Sequence, residues 1–227
     1  MTDASLATYF AARPEDAALR LMADTVAAMR ADPGFVARDD DVAGAAFLER
    51  EAPAPLSADA LDQVLARIEL AGAQDERAQA RAAESDDPRI AEIARLPSPV
   101  REAALKALEH DRWRFGAFGL RRLPLDIGET HCELMRIEPG YGASDHDHVG
   151  DELTLILTGA YNDGHADYGP GEICLARDGF IHAPKALPGE ICYILSVTYG
   201  VTKFKGTIGV LQRLIGFPWT PKPRRRR

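Results

Sequence analysis

Hydrophobic positions along this chain follow two different periods, and the change falls near residue 113. Before it, Leu6, Tyr9 and Phe10 recur at helical spacing, as do Leu19, Met22, Val26 and Met29. Pro14, Glu15 and Asp16 suit the first turn of a helix, and Asp32-Pro33-Gly34 suits its end. A third segment spans roughly Asp41 to Arg50, and Ala52-Pro53-Ala54-Pro55 breaks the chain after it. Ser57 is placed to cap a fourth helix with Leu61, Val64, Leu65 and Ile68 on its apolar face. From Ala73 to Asp87 large apolar residues almost vanish, so this stretch reads as a solvated helix or a flexible linker. Pro88, Pro97 and Pro99 punctuate its exit.

From about Trp113 the period moves toward two. Leu123 and Leu125, Leu134 and Ile137, Leu153, Leu155 and Leu157, Ile173 and Leu175, and Ile191, Tyr193 and Leu195 lie in strand-length runs. The runs are divided by Glu138-Pro139-Gly140, Asn162-Asp163-Gly164, Gly169-Pro170-Gly171 and Leu187-Pro188-Gly189. Many short strands at regular spacing predict a sandwich or closed barrel. The expected fold class is α+β, with a small helical region followed by a β-barrel.

Composition narrows the function more than the fold. The chain has 227 residues and a formal net charge of −8, which argues against direct nucleic-acid binding through a basic surface. The run Arg224 to Arg227 is read as a solvated tail. Three cysteines, Cys132, Cys174 and Cys192, lie in apolar surroundings without Cys-x-x-Cys spacing. They read as buried small hydrophobes in a reducing compartment. No secretory leader or membrane span is visible, so a cytoplasmic location is expected.

The candidate chemistry sits in His146-Asp147-His148-Val149-Gly150-Asp151-Glu152 and in Gly179-Phe180-Ile181-His182. On a strand, His146 and His148 share a face, and Glu152 begins the next apolar strand within reach of the same centre. His182 comes in from a later strand, after the Asp178-Gly179 turn. Three imidazoles and one carboxylate make a ligand set for a divalent metal. Zinc is the first expectation, with iron, manganese or nickel as alternatives. His165 after the hairpin turn and His110 in a charged stretch read as exposed, and His131 beside Cys132 reads as structural.

These residues resemble the two motifs of the cupins. The first runs Gly140, five residues, His146-x-His148, three residues, Glu152, six residues, Gly159. The second runs Gly171, Gly179, His182, with Arg177 where Pro is usual and Ala186 where Asn is usual. The resemblance implies a double-stranded β-helix, a jelly-roll barrel. Over nearly its full length the chain resembles the ChrR-type anti-sigma factors, through Leu6-Ala7-Thr8-Tyr9-Phe10-Ala11-Ala12, Ala52-Pro53-Ala54-Pro55-Leu56-Ser57 and the run from His146 to Ala160. That resemblance implies a helical anti-sigma-like domain at 1–72, a charged linker at 73–96, a metal-binding cupin at 97–217 and a basic tail at 218–227. It also implies an extracytoplasmic-function sigma factor as partner, with the cupin sensing stress.

One departure from the family stands out. Its zinc-binding anti-sigma domains carry His-x3-Cys-x2-Cys on the second helix, and those places fall here at Thr25, Met29 and Asp32. The helices must then hold together by apolar packing, for which Leu19, Leu21, Met22, Val26, Met29, Leu61, Leu65 and Ile68 could form a small bundle core. Such a core is marginal alone, which favours a partner or a homodimer. The alternative is a cupin metalloenzyme, a dioxygenase or isomerase, with Tyr161, Tyr193 and Arg177 as the candidates for proton handling.

Overall fold

The structure, a computed structural model, describes residues 9–32, 57–83, 85 and 87–206. The expected segments at Leu6, 41–50, 52–55 and 218–227 lie outside the described residues. Among the described residues, four helices with defined bounds precede the strands: α1 (Ala17–Ala31), α2 (Ala60–Ala83), α3 (Pro88–Ile93) and α4 (Ser98–Ala107). Pro14, Glu15 and Asp16, expected in the first turn, instead precede the helix, and Asp16 caps α1 by accepting from the backbone N–H of Ala18 and Leu19. Helix α2 begins at Ala60, three residues beyond the expected cap, and continues unbroken through residue 72 to Ala83. The prolines at 88 and 99 start helices α3 and α4 instead of interrupting the chain, because a first-turn N–H has no intrahelical partner to lose.

Eleven strands are described: β1 (Arg114–Ala117), β2 (Leu120–Leu125), β3 (His131–Ile137), β4 (His146–Val149), β5 (Glu152–Thr158), β6 (Tyr161–Asn162), β7 (Asp167–Tyr168), β8 (Ile173–Ala176), β9 (Lys185–Ala186), β10 (Cys192–Thr198) and β11 (Val201–Phe204). One layer is a six-stranded antiparallel sheet in the order β1-β2-β3-β10-β5-β8. The other is made of the pair β11-β4 and the trio β7-β6-β9, joined through the bridges His146↔His182 and Gly142↔Lys185. The two layers face each other as the jelly-roll barrel that the motif spacing predicts.

The six-stranded sheet is buried on both faces, and its alternation sorts residues into two cores. Leu153, Leu155 and Leu157 of β5, Tyr193, Leu195 and Val197 of β10, and Cys132 and Leu134 of β3 pack in one cluster with the helices. Ile156, Cys192, Ile194 and Ile137 turn the other way and pack in the barrel interior with Leu120, Tyr161, Cys174 and Ala186. Strands covered on both sides explain why β5 and β10 are nearly continuous in apolar residues.

Here the structure corrects the expected helical bundle. Leu19, Met22 and Met29 are buried, but against Ile93, Val100 and Ala104 and the outer face of the sheet. Leu21 and Val26 pack against the same cluster. Leu61, Val64 and Leu65 are exposed and take no part in it. Ile68 has no described side chain. At roughly 25 cal/mol for each Å² of apolar area buried, α1 finds on the barrel the stabilisation that a 15-residue helix lacks by itself. All three cysteines are buried thiols, as expected, with burial pushing Cys174 and Cys192 up to about 12. Among the described residues no helix is long and apolar enough to cross a membrane.

Candidate metal centre

The four expected ligands meet, although they come from both layers of the barrel. His146 and His148 sit on β4 two residues apart and share its inner face. The chain then leaves β4 through Gly150, which has φ +96 and no room for a Cβ against the Tyr199 carbonyl. It enters β5 in the opposite layer with Glu152 as its first residue. His182 is placed by backbone pairing: its N–H donates to the His146 carbonyl and the His146 N–H donates back, each at 3.0 Å.

The donor atoms of His146, His148, Glu152 and His182 all lie within 4.8 Å of one another, and all four residues are buried. The Nε2 of His182 is 2.9 Å from the Nε2 atoms of both His146 and His148. The Glu152 Oε2 lies 3.1 Å from His148 Nε2 and 3.8 Å from His182 Nε2. Ligands bound about 2.1 Å from one ion are separated by roughly 3 to 4 Å, so the spacing suits a shared cation. Each Nε2 pair at this distance either shares a proton, if one ring carries it there, or shares a cation, if neither does.

Electrostatics favour the ligating forms of His146, His182 and Glu152. Burial holds His146 and His182 below the ordinary histidine range, His182 at about 4, with the charge of His146 as a second cause for His182. Burial works against ionisation of Glu152, but the hydrogen bond from His148 and the charges of the three histidines outweigh it, and its carboxyl stays well below the usual range. Neutral imidazoles and an ionised carboxylate are what a metal requires.

Outer contacts fix these side chains. The His146 Nδ1 lies 2.8 Å from the Ser144 carbonyl, which makes Nδ1 the protonated nitrogen and leaves Nε2 free to bind. The Ser196 hydroxyl donates to Glu152 Oε1 at 2.8 Å, and the Thr198 hydroxyl donates to the same oxygen at 3.2 Å. The sequence pattern does not single out Ser196 and Thr198. The only hint is two hydroxyl residues at inward positions of an otherwise apolar strand.

Beside His146 and Glu152 lies an interior cavity of about 60 Å³. Its wall carries a polar cluster: Arg122 Nε donates to Glu133 at 2.6 Å, and His131 Nε2 is 3.2 Å from the other Glu133 oxygen. His131 is therefore partnered to a carboxylate and is no member of the tetrad. His110 and His165 are exposed, as expected. Of the proton-handling candidates, Tyr161 lines the cavity, Tyr193 donates to Glu92 at 2.6 Å on the helix side of the sheet, and Arg177 is exposed.

Comparison with known proteins agrees with the geometry. The ChrR cupin-like domain family matches residues 101–202. The anti-sigma-E factor ChrR of Cereibacter sphaeroides is 35% identical over 166 residues, which is 72% of this chain and 72% of that protein. A chain in the crystal structure of Rhodobacter sphaeroides SigE in complex with the anti-sigma ChrR is 31% identical, with a TM-score of 0.51. That alignment covers 86% of this chain and 96% of the other. An RmlC-like cupin from Ralstonia eutropha aligns over 46% of this chain and 80% of its own at 11% identity, with a TM-score of 0.38. With a relative this similar over most of both chains, and a buried tetrad of three histidines and one glutamate in the barrel, the protein belongs to the ChrR family.

Proposed function

We propose that this protein is a metal-binding anti-sigma factor, whose helical region holds an extracytoplasmic-function sigma factor and whose cupin carries a zinc ion on His146, His148, Glu152 and His182. The observation that carries the reading is the near full-length likeness to a ChrR chain solved together with its sigma factor SigE. A second observation supports the partner: Leu61, Val64 and Leu65, on one face of α2, are between 49% and 68% exposed. A helix face with that much apolar surface in water marks a place for another protein. The regulatory step would be release of the sigma factor when stress alters the cupin, with the helical region at 1–72 as the binding part.

The places of the family's zinc motif on the second helix are filled in a different way here. Thr25 is fully buried, with its hydroxyl donating to the Leu21 carbonyl at 2.7 Å, and Met29 is in the core. Apolar docking of α1 on the barrel stands in for the missing metal staple. Sigma binding without an N-terminal zinc is thus compatible with a folded α1.

The test is co-expression with the extracytoplasmic-function sigma factor of the same genome, followed by size-exclusion chromatography and elemental analysis. A one-to-one complex carrying one zinc per chain is expected. A metal-loaded chain that leaves the sigma factor free would overturn the anti-sigma reading. It would turn attention to the second reading, a cupin metalloenzyme, which the cavity beside His146 and Glu152 favours.

A further inference from the structure

Asp16 is bonded to two parts of the molecule at once. Its Oδ1 caps α1, accepting from the N–H of Ala18 at 3.0 Å and of Leu19 at 3.2 Å. Its Oδ2 accepts from the Thr130 hydroxyl at 2.8 Å and from the Tyr199 phenol at 2.6 Å. Both hydroxyls belong to the barrel, Thr130 ahead of β3 and Tyr199 between β10 and β11. Tyr9 and Arg13 close over the same spot. The Tyr9 ring lies 6.3 Å from that of Tyr199, and the Arg13 guanidinium stands 4.0 Å over Tyr9 and 5.3 Å over Tyr199.

Tyr199 is also tied to the loop between two members of the tetrad. Its N–H donates to the Asp151 carbonyl at 2.8 Å, between His148 and Glu152. Thr198 before it donates to Glu152, and Thr202 after it is paired with His148 in the β4–β11 register. The two turns touch backbone to backbone. A Cβ at Gly150 would stand 1.7 Å from the Tyr199 oxygen, and a Cβ at Gly200 would stand 1.7 Å from the Val149 oxygen. Neither turn can shift without moving the other.

We propose that the Tyr199–Asp16 hydrogen bond is a joint through which occupancy of the metal tetrad sets how firmly α1 is held on the barrel. The inference rests on the metal-binding reading above. Holding a cation draws His148 and Glu152 to one point and fixes the loop between them. Without it, the converging nitrogens and the carboxylate separate, the loop shifts, and Tyr199 shifts with it. A hydrogen bond at 2.6 Å weakens steeply over a displacement of a few tenths of an ångström. Losing it leaves the capping carboxylate of α1, a helix of the proposed sigma-binding region, held to the barrel by Thr130 alone. Tyr199 and Asp16 are therefore positioning residues, and the coupling must run both ways.

Hydrogen–deuterium exchange of the full chain, zinc-loaded and chelated, tests this. In the wild type, chelation should speed exchange of the α1 amides about fivefold or more, the scale of one hydrogen bond. Tyr199→Phe should exchange fast in both states while still binding one zinc per chain, and its zinc affinity should fall roughly three- to tenfold by reciprocity. Thr130→Val removes the other bond to Asp16 without touching the ligand loop, so it should speed α1 exchange yet keep the response to chelation. Zinc bound by the wild type with α1 exchange unchanged on chelation overturns the joint alone, as does a Tyr199→Phe chain with the full wild-type response. Absence of any bound divalent metal in the wild type overturns the metal reading itself, and the joint with it.

Discussion

Helices α1 and α2 carry the same kind of amphipathic sequence and meet opposite fates. In α1, Leu19, Met22 and Met29 are buried against α3, α4 and the outer face of the six-stranded sheet. In α2, Leu61, Val64 and Leu65 repeat at i, i+3 and i+4 and face water. Periodicity states that a helix has a face to bury; it does not say against what. The cap of α1 is wired into the barrel through Thr130 and Tyr199, whereas the apolar face of α2 near its start meets solvent. One apolar face is built into the shared core, and the other stands in water.

The contrast is tested most severely in the core of α1. Leu19→Ala should cost about 2 to 5 kcal/mol of unfolding free energy, read as a lower urea midpoint, because the cavity opens where helix and sheet meet. A loss below about 0.5 kcal/mol would mean that α1 is not part of the shared core.

Acidification should act on the metal-ligand cluster of the barrel. In the metal-free chain His182 titrates at about 4 when folded against an ordinary 6.5, so between those values the unfolded chain binds more protons than the folded one. Stability then rises with pH across that window and is lost as pH falls through it. Glu152, also held below its ordinary value, acts in the same direction. The urea midpoint at pH 5 should correspond to about 2 kcal/mol less stability than at pH 7, with His182→Gln flattening the difference.

Ser196→Ala probes the role of the buried strand in holding Glu152. It should weaken zinc retention about tenfold in a chelator competition while leaving the thermal midpoint close to wild type. The smallest effect on folding is expected in α2. Leu65→Ala should change stability by less than about 0.5 kcal/mol, yet lower the amount of sigma factor recovered in complex. Equal sigma binding by wild type and a Leu61→Ala, Leu65→Ala double variant would remove α2 from the proposed interface.

Several features were legible from the residues because their physics is local. Alternation on β4 puts His146 and His148 on one face. Turn residues delimit the strands. The spacing of the two motifs also placed His182 with the other three residues, since the barrel fold behind that spacing brings β4 and residue 182 into register. Other features were not legible. Pro88 and Pro99 read as breaks, because a proline that starts a helix and one that ends a segment look alike until the following turn is known. Ser196 and Thr198 were invisible as supports of Glu152, since two hydroxyls in a strand have no signature of what they face. The Arg122–Glu133–His131 cluster was hidden for the same reason, as its members are distant or alternate in sequence and meet only across paired β2 and β3.

The strand pattern and the candidate ligand set follow from period, spacing and residue chemistry, and the family from the resemblance of whole motifs. Which apolar face each helix uses was settled only by long-range packing. Hydrophobic burial is non-directional, and any complementary surface satisfies it. The outer face of β5 and β10 takes the apolar side of α1, and the exposed residues of α2 form no bundle with it. The same packing brought Tyr199 against Asp16, 183 positions apart in the chain, which no local pattern encodes.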